Sequence, residues 1–281
     1  MPPSTLPHGA EPLLSIIVPV YNEAGTIAAV LDRLRTVPLP VPREIIVVND
    51  GSTDATADVL ASHQAQQGFT VINQSNQGLP NALNAGFARA QGEYLTWTSS
   101  DNIMLPDMLQ VLASALDQNP SVGLVYADRY FITEEGANLG RFNLPDYDPH
   151  LLLHVNTVHC CFLYRRDCME RVGQYDPAFI YGEDWEYWIR ISQYYRMKHI
   201  PAALYCYRLH KTSMTSDLVR GRARSIGFQE FSARVRRRMP ARWYLGKLKW
   251  WWIRMTAPQH PAVAERAAWL QAAARIAGQT D

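Results

Sequence analysis

Four strand-length apolar runs lie between Leu14 and Thr98, each closing on a polar turn and separated from the next by a stretch of helical or loop character. The first is Leu14-Ser-Ile-Ile-Val-Pro-Val20. The second is Glu44-Ile-Ile-Val-Val-Asn49, the third Phe69-Thr-Val-Ile-Asn73 and the fourth Glu93-Tyr-Leu-Thr-Trp-Thr98. Between the first two, Ala24 to Arg35 places Ile27, Val30, Leu31 and Leu34 at helical spacing, until Pro38, Pro40 and Pro42 break the chain. Asp50-Gly-Ser-Thr-Asp54 can cap a second helix to about His63, and Gln77 to Ala90 reads as a third. Strands alternating with helices over short connections predict an α/β fold with a mostly parallel sheet flanked by helices. Runs that are apolar on both sides fit burial of both sheet faces.

From about Ser121 this rhythm changes. Val122 to Thr133 reads as strands around a turn, with Glu134-Glu135-Gly136 as a hairpin tip. His159 to Tyr164 reads as a strand, Asp184 to Tyr195 as a helix, and Met197 to Tyr207 includes a last strand. The charge distribution marks another boundary. Residues 1–219 hold 14 Lys/Arg against 23 Asp/Glu, net −9, whereas residues 220–255 hold 11 against one, net +10. An acidic body therefore carries a basic extension, with helices expected at about 218–238, 241–255 and 260–277 between Pro240, Pro258 and Pro261. The division expected is 1–12 as a flexible leader, 13–218 as the main domain in halves of 13–120 and 121–218, and 219–281 as a helical extension.

The N-terminus lacks a basic segment followed by an apolar core, so no signal peptide is expected. No apolar stretch is long enough for a spanning helix. Cys160, Cys161, Cys168 and Cys206 form no CxxC pair and read as reduced packing residues, which points to the cytoplasm.

In an open parallel sheet, ligands bind beyond the carboxyl ends of the strands. Those ends carry Tyr21, Asn22 and Glu23; then Asn49, Asp50, Gly51, Ser52 and Asp54; then Asn76, Gln77, Gly78, Asn81 and Asn84; then Ser99, Ser100, Asp101 and Asn102. Asx and Gly make ordinary turns too, but four such ends converging on one crevice suit a polar ligand. GxGxxG, GxxxxGK[ST] and GxSxG are all absent, which weighs against dinucleotide, P-loop and nucleophile-elbow chemistry. A nucleotide held by carboxylates and amides remains, with Asp101 placed for a metal.

Ser15-Ile-Ile-Val-Pro-Val-Tyr-Asn-Glu23, Glu44-Ile-Ile-Val-Val-Asn-Asp-Gly-Ser-Thr-Asp54, Asn76-Gln-Gly78, Leu83-Asn-Ala-Gly86, Gly92-Glu-Tyr-Leu95 and Gly182-Glu-Asp-Trp-Glu186 closely resemble the family 2 inverting glycosyltransferases of the GT-A fold. The likeness covers about residues 13–212. It implies a GT-A-like sheet with a Rossmann-like nucleotide-binding half and transfer of a sugar from a nucleotide-diphosphate sugar, of UDP type, to a hydroxyl of a glycan, lipid-linked or cell-envelope acceptor.

Residue roles follow from the same resemblance. Pro19, Val20, Tyr21 and Glu23 would line the base and ribose pocket, and Asp50 and Gly51 would meet the base, Asp50 accepting from a uracil-type imide. Asn76, Gly78 and Asn84 would approach the base, ribose or phosphates, although Gly78 also suits a helix-entry turn. The family usually carries Asp-x-Asp or Asp-x-Asp-Asp where this chain has Ser99-Ser100-Asp101-Asn102. Ser99 replaces the first acid and Asn102 the last, leaving Asp101 for Mn²⁺ or Mg²⁺, with Ser99 and Ser100 beside the donor. His210 matches a metal-binding histidine of many such enzymes; imidazole suits Mn²⁺ better than Mg²⁺. In Glu183-Asp184 the second acid is the base that takes the acceptor proton, and Glu183 would orient it or touch the acceptor. Helix N-termini also favour acids on simple electrostatic grounds. His154, Asn156, His159 and Trp185 fall near the acceptor in the matched segments, with Trp185 either stacking on a sugar or packing in the core.

Arg234 to Arg254 interleaves cations with four tryptophans. Three readings stand for this segment: contact with an anionic membrane surface, which would make the protein peripheral to the membrane; packing against the acidic body; and, least favoured, nucleic-acid binding. Two rivals to a transferase also stand, namely a sugar-nucleotide-binding protein without turnover and a nucleotidyltransferase.

Overall fold

The computed structural model describes residues 14–37 and 42–210. The leader expected at 1–12 and the extension expected at 219–281 lie outside the described residues.

The first half follows the alternation in the sequence. It runs β1 (Leu14–Val20), α1 (Ile27–Thr36), β2 (Arg43–Asp50), α2 (Thr56–Gln67), β3 (Thr70–Gln74), α3 (Leu79–Phe87) and β4 (Tyr94–Trp97). The four strands are parallel in the order β3-β2-β1-β4, with Ile16 opposite Ile45 and Val18 opposite Val47. Period-two alternation sends β1 to two cores. Leu14, Ile16, Val18 and Val20 join Ile27, Leu31 and Leu34 of α1, while Ile17 joins Ala82, Leu83 and Phe87 of α3 on the opposite face. α3 approaches the sheet so closely at Gly86 that a Cβ there would lie 2.4 Å from Ile17 Cγ2.

The second half contains β5 (Ile103–Met104), α4 (Met108–Asp117), β6 (Val122–Ile132), β7 (Asn138–Phe142), α5 (Pro149–Leu152), β8 (Phe162–Arg165), α6 (Arg166–Val172), α7 (Glu183–Ser192) and β9 (Arg196–Arg208). These strands extend the sheet as β4-β8-β6-β9-β5, with β7 paired to β6. β8 runs antiparallel to both β4 and β6, and β9 parallel to β6, so the complete sheet is mixed. Residues 122–132 form one long strand rather than two around a turn; the turn lies just beyond it, around Glu134-Glu135-Gly136, where β6 folds back on β7. α4 is not among the expected elements, although its buried Met108, Leu109, Leu112, Ala113 and Leu116 carry helical spacing. The short α6 and β7 were likewise not anticipated.

Besides the continuous sheet, one buried residue ties the halves together. Tyr175, in the loop before α7, is 2% exposed. Its backbone N–H donates to Asn84 Oδ1 at 2.8 Å, and Asn84 Nδ2 donates to its carbonyl at 2.8 Å. Its ring stacks on Tyr187 of α7 at 3.9 Å and 8°, and its hydroxyl accepts from Trp97 Nε1 at 3.2 Å. All four cysteines are free thiols; burial pushes Cys160 up to about 11 and Cys168 up to about 12.

Truncating Asn84 would strand two backbone groups of a buried residue, a loss of about 1–3 kcal/mol. Asn84→Ala is therefore expected to lower Tm by roughly 2–4 °C for each kcal/mol lost. An unchanged melting curve would show that this latch carries no stability.

Candidate active site

The loops beyond β1, β2 and β3 are cross-linked by their own polar groups. Asn22 adopts φ 55°, and its Oδ1 accepts from the Thr53 N–H at 2.7 Å while its N–H donates to Ser52 Oγ at 3.0 Å. The Glu23 N–H donates to Thr56 Oγ1 at 2.9 Å, and the Ala24 N–H to Asp54 Oδ2 at 3.2 Å. Gly51 has φ 72°, and a Cβ there would sit 2.5 Å from the Asn76 nitrogen, so the second loop can press on the third only with glycine at this position. Pro19 is half-buried and Val20 buried at the strand end, while Tyr21 is 47% exposed.

Asp50 is buried and accepts three hydrogen bonds from the β3–α3 loop: Gln74 Nε2 at 2.7 Å, the Gln77 N–H at 2.9 Å and the Gly78 N–H at 2.8 Å. A carboxylate offers about four acceptor directions, so one is left for a ligand. Asn76 is exposed, and Gly78, at φ 82°, has open space beside its Cα. Asn84 departs from the expected donor contact. Both atoms of its amide are committed to Tyr175, so it is a structural latch.

Beyond β4, Ser99 is half-buried and Ser100 buried. Asn102 accepts from the Arg208 N–H at 2.8 Å, and Arg208 Nε donates to the Asp101 carbonyl at 2.9 Å, which pins this loop to the end of β9. His210 Nε2 lies 2.7 Å from Asp101 Oδ2, and this contact raises the His210 pKa. The other Asp101 oxygen, Oδ1, is buried with no hydrogen-bond partner. Glu23 sits in the same field: burial raises its pKa and the Asp101 charge adds to that, while Thr26 Oγ1, 2.7 Å away, opposes it.

An orphaned buried carboxylate oxygen beside an imidazole fits a divalent cation that draws its remaining ligands from water and phosphate. No group of three or more His, Cys, Asp or Glu side chains is arranged for a metal among the described residues. Asp101 and His210 are the side chains among the described residues that would hold such an ion.

The second acid pair opens α7. Asp184 Oδ2 accepts from Asn156 Nδ2 at 2.8 Å and Oδ1 from the Trp185 N–H at 2.7 Å. Glu183 is 6% exposed; burial, then the Asp184 charge, hold its pKa well above the usual carboxylate range. The charges of both Asp184 and Asp101 act on the buried Cys160 thiol and help to raise its pKa, although burial is the larger cause. His159 adopts φ 58° and stands edge-on to Phe142 at 6.1 Å. Trp185 does not offer a face to an acceptor. It is 8% exposed and its indole N–H donates to the Leu152 carbonyl, placing it in the core.

Arg129 was not anticipated. It is 2% exposed, with its guanidinium 4.6 Å from the Phe142 ring centre and 5.1 Å from that of Phe131. Its Nε and Nη1 have no hydrogen-bond partner, and its charge acts on Cys160. No local pattern distinguishes such an arginine from a solvent-facing one on a strand.

Residues 15–173 match the family described as Glycosyl transferase family 2. The poly-beta-1,6-N-acetyl-D-glucosamine synthase of Staphylococcus epidermidis is 27% identical over 207 residues, covering 70% of this chain and 50% of that protein. S. aureus TarS 1-349 in complex with UDP-GlcNAc superposes with a TM-score of 0.58 at 18% identity, covering 71% of this chain and 59% of that one. The mannosyltransferase PcManGT from Pyrobaculum calidifontis, in complex with GDP-Man and Mn²⁺, gives 0.58 at 22% identity, covering 75% and 61%. Such identities establish a shared fold. The chain spans between 50% and 63% of the length of several curated relatives that it matches.

A carboxyl whose pKa is raised on folding stabilises the fold below its unfolded pKa, about 4.3, and loses that contribution as pH rises through the folded value. Glu183→Gln is accordingly expected to raise Tm at pH 7 by roughly 2–4 °C, the equivalent of about 1 kcal/mol, with the gain vanishing near pH 4. A gain of equal size at both pH values would show that Glu183 ionisation is not its source.

Proposed function

The chain belongs to glycosyl transferase family 2, and on that premise we propose that it moves a sugar, with inversion, from a nucleotide-diphosphate sugar to an acceptor hydroxyl. The family makes it a glycosyl-transferring enzyme. The finer reading is a UDP-type donor, Mn²⁺ or Mg²⁺ assistance, and a glycan or lipid-linked acceptor. The observation that carries this reading is that the two carboxylates the motifs single out are each held by a specific partner, Asp101 by His210 at 2.7 Å and Asp184 by Asn156 at 2.8 Å.

On this reading Tyr21 and the free acceptor direction of Asp50 meet the base, and the backbone at Gly51 and Gly78 leaves room for the ribose and phosphates. Asp101 and His210 would hold the cation. When bound, that ion would neutralise charge developing on the diphosphate leaving group. Asp184 takes the proton from the acceptor hydroxyl as the oxygen attacks the anomeric carbon opposite the leaving diphosphate, which inverts that centre. A hydroxyl is a weak nucleophile at neutral pH, so a positioned carboxylate contributes about 10²–10⁴ in rate. Burial of Glu183 beside it favours the neutral form of that acid, which lessens the competing negative charge.

The acceptor's site of action is tied to the basic 220–255 segment, read as a contact with an anionic membrane surface on the cytoplasmic side. That segment lies outside the described residues. Among the described residues no helix is long and apolar enough to cross a membrane. A second reading, a sugar-nucleotide-binding protein without turnover, draws on one observation. Ser99 and Asn102 stand where the family carries acids, and Asn102 is committed to Arg208. Release of nucleoside diphosphate from a sugar nucleotide separates the two.

Asp184→Asn is expected to lower turnover by about 10²–10⁴ while leaving the donor-induced rise in Tm intact. Wild-type turnover by this variant would remove Asp184 from the mechanism. Asp101→Ala is expected to abolish the extra Tm rise that Mn²⁺ adds to UDP-sugar. Full activity of the wild type in excess EDTA would show that no ion is needed.

A further inference from the structure

Asn156 precedes β8 and is 8% exposed. Its side chain makes three hydrogen bonds that together determine which way its amide points. Oδ1 accepts from the Val158 N–H at 3.2 Å and the His159 N–H at 3.1 Å. Those two donors require the oxygen on their side and leave the NH₂ group facing away, toward Asp184. Nδ2 then donates to Asp184 Oδ2 at 2.8 Å. The amide cannot be flipped without setting two backbone N–H groups against an NH₂ group. It also cannot accept a proton from Asp184, because an amide NH₂ only donates.

We propose that Asn156 is a positioning residue for Asp184: its locked amide holds the carboxylate in one rotamer and favours the ionised form needed to receive the acceptor proton. The inference rests on the reading of Asp184 as base. A hydrogen bond donated to a carboxylate favours its charged state, and a charge-assisted bond is about twice as strong as a neutral one. With the Trp185 N–H on Oδ1, both carboxylate oxygens are held. Each oxygen carries a second lone pair besides the one so held, so taking a proton does not require either of these bonds to break.

The other groups that face Asp184 do not supply this function. Glu183, its neighbour on α7, opposes ionisation when charged, and burial favours its neutral form. The Cys160 thiol and the Tyr175 phenol both feel the Asp184 charge and are themselves held neutral by burial. Arg129 acts on Cys160 from among the aromatic rings. The amide of Asn156 is thus a side-chain donor whose bond to Asp184 the geometry specifies. The turn Asn156-Thr-Val-His159, with its left-handed His159, exists around the atom that orients that donor.

Asn156→Asp separates positioning from scaffolding. The isostere keeps an oxygen for the Val158 and His159 N–H groups but presents an acceptor in place of the donor. The full-length protein labelled with ¹³C at aspartate Cγ would be titrated by NMR as wild type, Asn156→Asp and Asn156→Ala, with Asp184→Asn used for assignment. The Asp184 midpoint is expected to rise by about one pH unit or more in Asn156→Asp and by less in Asn156→Ala. The acid limb of kcat/KM should move with it. Should Asn156→Asp fail to fold, as judged by near-UV circular dichroism, Asn156→Ala alone decides. An unchanged Asp184 midpoint in the folded variants would overturn the proposal. A midpoint that rises while the acid limb stays in place would leave the contact standing and remove Asp184 as the base.

Discussion

The stacked pair Tyr175–Tyr187, latched to Asn84, is the contact on which the site depends. The loops proposed to meet the donor grow from the parallel strands, whereas Asp184, the proposed base, sits on α7, roughly a hundred residues further along the chain. Loop closure over that span is costly in entropy, so the relative position of the two has to be held by interactions that are directional and dry. Two backbone hydrogen bonds to one amide and a near-parallel ring stack provide both. They place the beginning of α7, with Glu183 and Asp184, against the half that carries Asp50 and Asp101.

The site is also a problem of concentrated negative charge. Glu23 lies in the field of Asp101, and Glu183 in that of Asp184. Each is handled by a different physical means. Glu23 and Glu183 are driven toward the neutral form by burial and neighbouring acids. Asp101 is paired with His210, and Asp184 is held by amide donors. Arg129, enclosed by aromatic rings, adds a buried positive charge beneath the same region. A cation at Asp101 and His210 would complete that compensation.

Much of the first half was legible because its signals are local. A buried parallel strand reads as an apolar run, and a surface helix as an apolar stripe, whatever the rest of the chain does. β1 to β4 and α1 to α3 therefore appear where the pattern puts them, to within a few residues at their ends. The second half was less legible. β6 is a single strand because its partners β8, β9 and β7 lie elsewhere in the sequence, and no local pattern names them. α4 carried a readable stripe in Met108, Leu109, Leu112 and Leu116 that the reading passed over.

The sequence by itself determined the kinds of groups at each strand end and the family to which they belong. Asp50, Asp101, Glu183, Asp184 and His210 are identified by motif and order alone. What those groups touch was decided only by tertiary structure, because a hydrogen bond depends on distance and angle between residues remote in the chain. Asn84 became a latch rather than a donor contact, Trp185 a core residue rather than a platform, and Asn156 the partner of Asp184. Arg129 was invisible for the same reason: its aromatic surroundings come from three separate strands.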